Sequence, residues 1–242
     1  MKQEFFDLGE SIIHSAEKLG TQQVEAYLTS RKQIQIQAER GTIKTAEEKH
    51  DMGCAIRTVI EKKLGFAFTS TINLPDIQTC TKEAVTLAKF SLPDNEFHSF
   101  PIYSGSFQTP DGIYDPKTTQ ITPEDAVELV LRGVDACKTQ LGKQKALIEG
   151  ALNVQVTELA IINSLGTSGS YRDTLIELSV DPTIKSVNSQ ASSFEFQISR
   201  TLTEIDPEWI GRTAATNTQN SLHSKTTKDG QLPVIFTPMA LD

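Results

Sequence analysis

A long run of two-residue periodicity early in the chain constrains the fold more than any other feature. Apolar and polar residues alternate over 24–29 and 34–38, a charged segment follows over 42–50, and β-rich segments span 52–61 and 63–70. The links between these predicted strands are a few residues long, whereas a parallel crossover needs about a dozen or more. The pattern therefore predicts an antiparallel meander with one face open to solvent.

Amphipathic helices flank the predicted meander. Apolar residues recur at three- and four-residue steps over 3–19, and Gly20 closes this first helix as a glycine after a helix end often does. Asn73 and Pro75 are typical of a second helix start, and the apolar face of that helix continues to about residue 90. We expect the first helix to cover the second face of the meander.

Residues 93–120 break the periodicity. They hold four prolines among Ser, Thr, Asp and Gly residues, and a loop of this length is unusual inside a compact domain. We interpret 93–120 as a linker or a functional loop. Its aromatic residues indicate that it packs on the rest of the protein; they are Phe97, Phe100, Tyr103 and Phe107.

A second block of helices and strands follows this loop. Thr122, followed by a proline, predicts a helix whose apolar spacing fits a coiled coil or, preferably, an ordinary buried helix. Asp206 predicts a last helix that reaches about residue 222. Between them, a turn is expected at 163–166, and the predicted strands are 152–156, 159–161, 171–180 and 193–202.

This order of elements predicts an α+β fold of antiparallel β-meanders packed with helices. We expect one N-terminal domain over 1–222, with sub-blocks 1–92 and 121–222 joined by the loop. After a polar loop over 223–230, an apolar segment over 232–236 predicts one more strand. Because such a strand needs neighbours, we interpret 223–242 as the first segment of a truncated C-terminal domain.

Charge and hydropathy exclude several classes of partner. The formal net charge is −8, the sequence pI is about 5.1, and the chain carries no basic stripe of the kind that binds nucleic acid. No apolar run approaches the roughly 20 residues that cross a bilayer, and the amino terminus lacks the apolar core of a secretory signal. We therefore expect no direct nucleic-acid or membrane partner and a cytoplasmic location.

The residue types that usually carry catalysis are scattered. None of the four histidines lies three to five residues from another, so the spacing of a metal site is absent. Cys54, Cys80 and Cys137 match neither a CxxC pair nor a disulfide framework, which favours reduced structural thiols. A small polar run over 164–170 fits a hairpin loop better than an anion cradle. We expect no catalytic residue and no metal ligand within 1–242.

Arg57 is the most informative charge in the predicted meander. It lies in an otherwise apolar stretch that begins at Gly53 and is followed by Gly65 and Phe66. An arginine inside such a strand must reach water or meet a carboxylate or carbonyl oxygen. We favour a structural role for Arg57 over contact with a substrate.

Several segments, taken in order, resemble the TldD/PmbA family. They are Leu19-Gly20 with Val24 to Tyr27, the turn at Gly41, the stretch from Gly53 through Arg57 to Gly65-Phe66-Ala67, the turn Asn163 to Gly166, and Gly230 to Phe236. Their order and spacing carry the resemblance, since each motif alone is weak. Our candidates for structural or substrate contact within these motifs are Arg57, Gly65, Phe66, Asn163, Ser164 and Gly166.

The resemblance implies a fold and an activity. Family members have an α+β N-terminal domain followed by a β-rich C-terminal domain. They act as a TldD–TldE (PmbA) heterodimer, a cytoplasmic metallopeptidase that processes peptides and unfolded polypeptides. The zinc site is similar to HExxxH with a later cysteine and belongs to TldD only. Zinc is therefore expected in a TldD-like partner or beyond residue 242, and no family ligand falls on this chain.

Three functions stay open at this point. The favoured one is the N-terminal domain of a PmbA/TldE-like subunit, since Thr237 to Ala240 resemble PmbA/TldE more than the glycine-rich TldD form. Its roles would be scaffold, dimerisation surface and wall of a substrate chamber, with a TldD-like subunit or a second copy as partner. The alternatives are the N-terminal domain of the zinc-bearing TldD-like subunit, and a non-enzymatic interaction module that modulates DNA gyrase.

Overall fold

A computed structural model of the chain shows an antiparallel sheet with helices on one face. It describes residues 2–103, 107, 110–185, 189–222, 224–225, 229–231, 233–236 and 240. The elements in chain order are α1 Lys2–Lys18, β1 Gln23–Glu39, β2 Thr42–Ile60, β3 Lys63–Thr69, α2 Leu74–Phe90, α3 Pro116–Thr119, α4 Pro123–Leu141, β4 Ala146–Asn163, β5 Ser168–Lys185, β6 Gln190–Ser192, β7 Glu195–Ser199 and α5 Pro207–Ser221.

The strands form one sheet in the order β3-β2-β1-β4-β5-β6, and β7 also pairs with β5. Every pairing is antiparallel. β1 lies between β2 and β4, so the two β-rich parts of the sequence meet in a single sheet. The α+β class and the antiparallel meander are confirmed, while the subdivision of the chain into domains stays a prediction.

The strands predicted as five before residue 70 are three. β1 continues through Arg31 and Lys32, and β2 continues through Asp51. Arg31 lies directly opposite Asp51, and Lys32 Nζ lies 3.3 Å from Oε1 of Glu48 on the same neighbouring strand. Opposite charges facing each other across a ladder stabilise the pairing. These charges therefore continue the strands at the point where the alternation of apolar residues suggested a break.

The second β-rich region differs from expectation in the same way. The strands predicted at 152–156 and 159–161 are the single strand β4, because Thr157 between them has the β-branched chemistry that strands favour. The strand predicted over 193–202 is only β7, and a 3-10 turn, Leu202–Glu204, follows it. Pairing with β5 ends at Ser199, which limits the strand.

The end of the chain does not form the predicted strand within the residues described. Residues 233–236 are not part of a strand, and a strand needs a hydrogen-bonded neighbour. Residue 232 lies outside the described residues, as do His223 and most of the segment from Thr237 onward.

The helices begin at the capping residues that the sequence indicated. Asn73, Thr122 and Asp206 each accept a hydrogen bond from a backbone N–H of the first turn, and each precedes a proline at one of the first two helical positions. α4 packs against α5 and the sheet, so it is an ordinary buried helix. None of the helices in the described part of the chain combines the length and apolar character needed to cross a bilayer.

Two apolar cores lie between the sheet and its helices. The first lies under α1 and α2, and the second lies under α4 and α5. β1 contributes even-numbered residues to both: Val24, Ala26 and Leu28 to the first, and Ile34, Ile36 and Ala38 to the second. The odd-numbered residues of β1 point to the opposite face. That face carries no helix layer among the residues described.

Candidate functional site

The face of the sheet opposite the helices is the candidate site, and we call it the open face. Side chains directly opposite each other on neighbouring strands form rows across it. One row consists of Phe66, Arg57, Glu25 and Asn163. The adjacent row consists of Phe68, Ala55, Tyr27, Ile161 and Gly169. At the far end, a row consists of Glu39, Glu149 and Asp181. The two ends thus differ in chemistry.

Arg57 meets a carboxylate at the first end. Its Nε donates to Oε1 of Glu25 at 2.9 Å, and its Nη2 donates to the same oxygen. Glu25 is only 4% exposed, whereas Arg57 stays in contact with solvent. The ring of Phe100 lies beside the guanidinium, with 4.9 Å from Cζ to the ring centroid. Arg57 is therefore held between an anion and an aromatic ring.

Residues 93–103 cross the sheet at this end, and we call them the crossing segment. The backbone N of Phe100 donates to Gln23 Oε1 at 2.9 Å, and the Phe100 side chain is 3% exposed. Pro101 O accepts hydrogen bonds from Asn163 Nδ2 at 2.8 Å and from Thr167 Oγ1 at 2.7 Å. The predicted loop is thus tied to the sheet in this part. We call Glu25, Arg57, Phe100 and Asn163 the closed end of the open face.

The turn after β4 is a hairpin loop that uses its own polar groups. Asn163 Oδ1 accepts from the backbone N of Leu165 and of Thr167, each at 3.0 Å. Gly166 N donates to Asn163 O, and Gly166 has a φ of +93°, a conformation that glycine adopts without strain. Ser164 bonds to Val24 of β1 through both its backbone N and its Oγ. Because these N–H groups have partners, the hairpin interpretation holds and the anion cradle does not.

Gly65 points away from the open face. A Cβ at this position would lie 1.9 Å from Ala84 O in α2, so only glycine lets the helix approach β3 this closely. Thr58, opposite Gly65, donates from its Oγ1 to the same carbonyl at 3.0 Å. Gly65 therefore positions α2, while its neighbour Phe66 faces the other way.

Large apolar side chains are exposed on the open face beside the closed end. Phe66 is 52% exposed and Phe68 is 73% exposed, with 6.3 Å between their ring centroids. Tyr27 and Tyr171 continue this apolar surface across the sheet and are partly exposed. Burial and the nearby Tyr171 raise the pKa of the Tyr27 phenol. Contiguous exposed apolar surface of this kind marks an interaction site.

The other end of the open face is acidic; we call Glu39, Glu149, Glu177 and Asp181 the acidic end. Lys44 Nζ lies 2.7 Å from Glu39 Oε2, and this hydrogen bond lowers the pKa of Glu39. Oδ1 of Asp181 is buried and has no hydrogen-bond partner in the part of the chain described. Burial raises the pKa of Asp181. A cavity of about 330 Å³ is lined by Glu39, Glu149 and Asp181 together with Lys44.

The residues that the structure describes do not fit a zinc site. Among those described, no group of three or more His, Cys, Asp and Glu side chains is arranged to hold a metal ion. Burial, with a smaller effect of Cys80, raises the pKa of Cys54 to about 12, and burial raises that of Cys80 to about 11 and that of Cys137 to about 12. At neutral pH these thiols stay protonated, and a thiol neither ligates zinc nor attacks a substrate.

Two family models match the chain in sequence order. One is described as the PmbA/TldA metallopeptidase domain 1 and matches residues 24–88. The other is described as the PmbA/TldA metallopeptidase central domain and matches residues 116–222. The chain belongs to the TldD/PmbA family. The resemblance inferred from the ordered motifs is confirmed, and the residues named at both ends of the open face of this TldD/PmbA chain lie within the matched ranges, apart from Phe100 in the crossing segment.

Solved structures share the fold of this TldD/PmbA chain. TldE from Thermococcus kodakarensis is similar with a TM-score of 0.79 and 20% identity, over 88% of this chain and 47% of that one. A protein from Thermotoga maritima, described as a modulator of a DNA gyrase, has a TM-score of 0.80 and 16% identity, over 93% and 50%. A protein of the same description from Bacteroides thetaiotaomicron has a TM-score of 0.78 and 19% identity, over 93% of this chain and 52% of that one. A comparison with curated proteins found no significant match.

The TldD/PmbA chain therefore spans about half the length of these structures. At these identities the likeness establishes the fold. It does not transfer what the similar proteins bind or do.

The candidate residues taken from the family motifs fall into separate places. Arg57, Phe66 and Asn163 lie in one row of the open face. Ser164 and Gly166 shape the hairpin turn beside that row. Gly65 lies on the helix side, as its contact with α2 shows.

Each end of the open face also contains a residue that was not predicted from the sequence. Glu25 is the partner of Arg57, and Asp181 is the unpaired carboxylate of the acidic end. Glu25 had a detectable signal, since it is an acid within an alternating apolar strand, as Arg57 is a base within one. Asp181 had none, because a polar residue on the solvent side of a strand is ordinary.

Proposed function

We propose that this TldD/PmbA chain is the N-terminal half of a PmbA/TldE-like subunit in a cytoplasmic TldD–TldE metallopeptidase complex. There it supplies a scaffold, a dimerisation surface and part of the wall of a chamber for peptides and unfolded polypeptides. A TldD-like partner supplies the zinc ion, which activates water for hydrolysis when bound. A second copy of the chain is the alternative partner.

The observation that carries this proposal is the open face, on a fold shared with TldE. A sheet whose second face presents Phe66 and Phe68 to solvent has surface to bury against another polypeptide. The match to metallopeptidase domains supports a peptide or an unfolded polypeptide as one of the chains that contact it.

The chain's own residues bind and position rather than react. Exposed aromatic side chains contact apolar side chains of a bound polypeptide through their ring faces. The closed end keeps the sheet rigid beside them, since Glu25, Arg57 and Asn163 are engaged in internal bonds. A rigid surface binds with a smaller loss of conformational entropy than a flexible one. These properties suit the wall of a chamber.

The test is reconstitution with a TldD-like subunit. The chain is produced alone and together with that subunit, assembly is followed by analytical ultracentrifugation, and hydrolysis of an unfolded substrate is measured with and without a zinc chelator. We expect a stable complex, chelator-sensitive hydrolysis by the complex, and no hydrolysis by the chain alone. Phe68→Ser should weaken the assembly or the binding of substrate. Leu92→Ser, at an apolar position that is more exposed still and lies outside the open face, should change neither.

Two outcomes would replace the proposal. Assembly with a TldE-like subunit, and not with a TldD-like one, would favour the N-terminal domain of a catalytic, TldD-like subunit. The description of two similar structures as modulators of DNA gyrase favours a second candidate, an interaction module that acts on gyrase without a peptidase partner. Inhibition or activation of gyrase supercoiling by the chain, with no binding to a TldD-like subunit, would establish that candidate.

A further inference from the structure

The acidic end brings like charges together in a way that the fold itself does not require. Glu39, Glu149 and Asp181 lie in one row across β1, β4 and β5. Directly opposed residues on antiparallel strands have Cβ atoms about 5 Å apart, and like charges at that spacing are destabilising. Lys44 offsets part of this repulsion through its pair with Glu39, and a bound cation would offset more of it.

The cations nearby are already engaged. Lys44 is paired with Glu39, and Lys49 Nζ lies 2.7 Å from Glu47 Oε2. Within the residues described, Glu149, Glu177 and Asp181 form no ion pair. The acidic end therefore carries a net negative charge that faces solvent on the open face.

An apolar strip runs alongside these carboxylates on β7 and the residue before it. On β7, Ile198 lies directly opposite Glu177, and Phe196 lies opposite Ser179. Phe194 stacks on Phe196 with 6.0 Å between ring centroids, and both Phe194 and Ile198 are about half exposed. Carboxylates and apolar side chains thus form two neighbouring columns that follow the strand direction, with the cavity of about 330 Å³ at their end.

We propose that the acidic end and the apolar strip together bind an extended segment of polypeptide substrate that carries lysine or arginine next to an apolar residue. Charge complementarity favours such a segment, because its ammonium or guanidinium groups would lie over Glu149, Glu177 and Asp181. An extended chain repeats its side chains on one side every second residue, as β5 does between Glu177 and Asp181. This inference rests on the proposed function and names the substrate class that the surface prefers.

The test measures binding of labelled unstructured peptides to the full chain by fluorescence anisotropy. One peptide alternates lysine with serine and contains one tyrosine, and its partner carries glutamate in place of each lysine. The variant Glu149→Gln/Asp181→Asn removes two charges from the acidic end. Glu10→Gln/Glu17→Gln removes two charges from the exposed side of α1 and is the matched control.

We expect the lysine peptide to bind and the glutamate peptide not to bind. The acidic-end variant should weaken binding about fivefold and make it less dependent on salt, because it loses two ion pairs with the peptide at the protein surface. The α1 control should bind as the natural chain does. Ile198→Ser, which keeps every charge, should also weaken binding. Equal affinity of the acidic-end variant and the natural chain, or equal weakening by the control, would overturn the inference.

Folding of the acidic-end variant is not at risk, since removing opposed like charges relieves repulsion. The result is also separable from the proposed function. Assembly and hydrolysis with a TldD-like subunit, without preference for the lysine peptide, would refute this inference alone. Preference for the lysine peptide, without assembly, would refute the proposed function alone.

Discussion

The closed end and the acidic end both place carboxylates on the same face of one sheet. The two sets of carboxylates differ in whether they have hydrogen-bonding partners within the chain. Glu25 is buried, receives two hydrogen bonds from Arg57, and lies beneath a segment anchored by Phe100. Asp181 has a buried oxygen without a partner and like-charged neighbours. The first carboxylate is part of the fold's own bonding, whereas the second is left for another molecule. Substitutions at the closed end are therefore expected to lower the free energy of unfolding, whereas a substitution of Asp181 is expected to raise it.

The largest effect is expected at the anchor of the closed end. Phe100→Ala removes a buried ring and should lower the free energy of unfolding by about 3 kcal/mol. Phe90→Ala, the same change at an exposed position, should stay within about 0.5 kcal/mol of the natural chain. Urea denaturation followed by circular dichroism measures both. Similar midpoints for the two variants would show that the crossing segment does not stabilise the sheet.

The next largest loss of stability is expected when the ion pair between Arg57 and Glu25, beneath the crossing segment, is broken. Arg57→Met leaves Glu25 buried without a partner and should cost about 2 kcal/mol, less than for a fully buried pair because Arg57 is half exposed. Glu25→Gln/Arg57→Met should recover part of that loss, since no unpaired charge remains. Arg31→Met, on the same face, is the control. A double variant less stable than Arg57→Met would contradict this account of the closed end.

At the acidic end the expected effect is smaller and has the opposite sign. Burial raises the pKa of Asp181, so the folded chain holds that proton more tightly than the unfolded chain. At pH values above the pKa of the folded state, the charged carboxyl therefore lowers the free energy of unfolding. This loss vanishes as the pH falls below the ordinary carboxyl pKa of about 3.9. Asp181→Asn should raise the free energy of unfolding at neutral pH by at most about 0.5 kcal/mol.

Denaturation of Asp181→Asn and the natural chain at neutral and acid pH checks this prediction. The two should converge at low pH. Asp51→Asn, opposite Arg31 on the same face, should show no such gain. A loss of stability in Asp181→Asn at neutral pH would mean that Asp181 has a stabilising role inside the fold.

The smallest change in stability is expected on the exposed surface next to the closed end. Phe68→Ser should change the free energy of unfolding by less than about 0.5 kcal/mol, because the ring is mostly in solvent. Its effect should appear in binding of an unstructured, aromatic-rich peptide, measured by calorimetry, as a loss of about threefold. Unchanged binding together with lower stability would assign Phe68 to the fold rather than to recognition.

Much of the architecture follows from patterns that act locally. Alternation predicted the antiparallel sheet, and Asn73, Thr122 and Asp206 predicted their helix starts, because a cap bonds only within its own first turn. Strand boundaries were predicted less well. Arg31 opposite Asp51 and Lys32 near Glu48 stabilise β1 from another strand, and such partners are distant in sequence.

The closed end could not be predicted because its register depends on an irregularity. The turn at Arg40 and Gly41 sets Glu39 opposite Thr42, and an unbroken ladder would continue to Glu25 opposite Ile56. A shift between Gln37 and Ala38 moves every later partner by one residue. That shift brings Arg57 opposite Glu25 and places both on the open face. A one-residue slip reverses the face of a side chain.

The position of β1 between the two family-defined regions also bears on how the chain folds. β1 falls in the first matched region, yet it is hydrogen-bonded along β4 of the second, from Glu25 opposite Asn163 to Glu39 opposite Glu149. It also contributes to both apolar cores. The two regions therefore form one cooperative unit, since neither keeps a complete sheet without the other. Either region produced alone would expose a long unpaired edge and tend to aggregate.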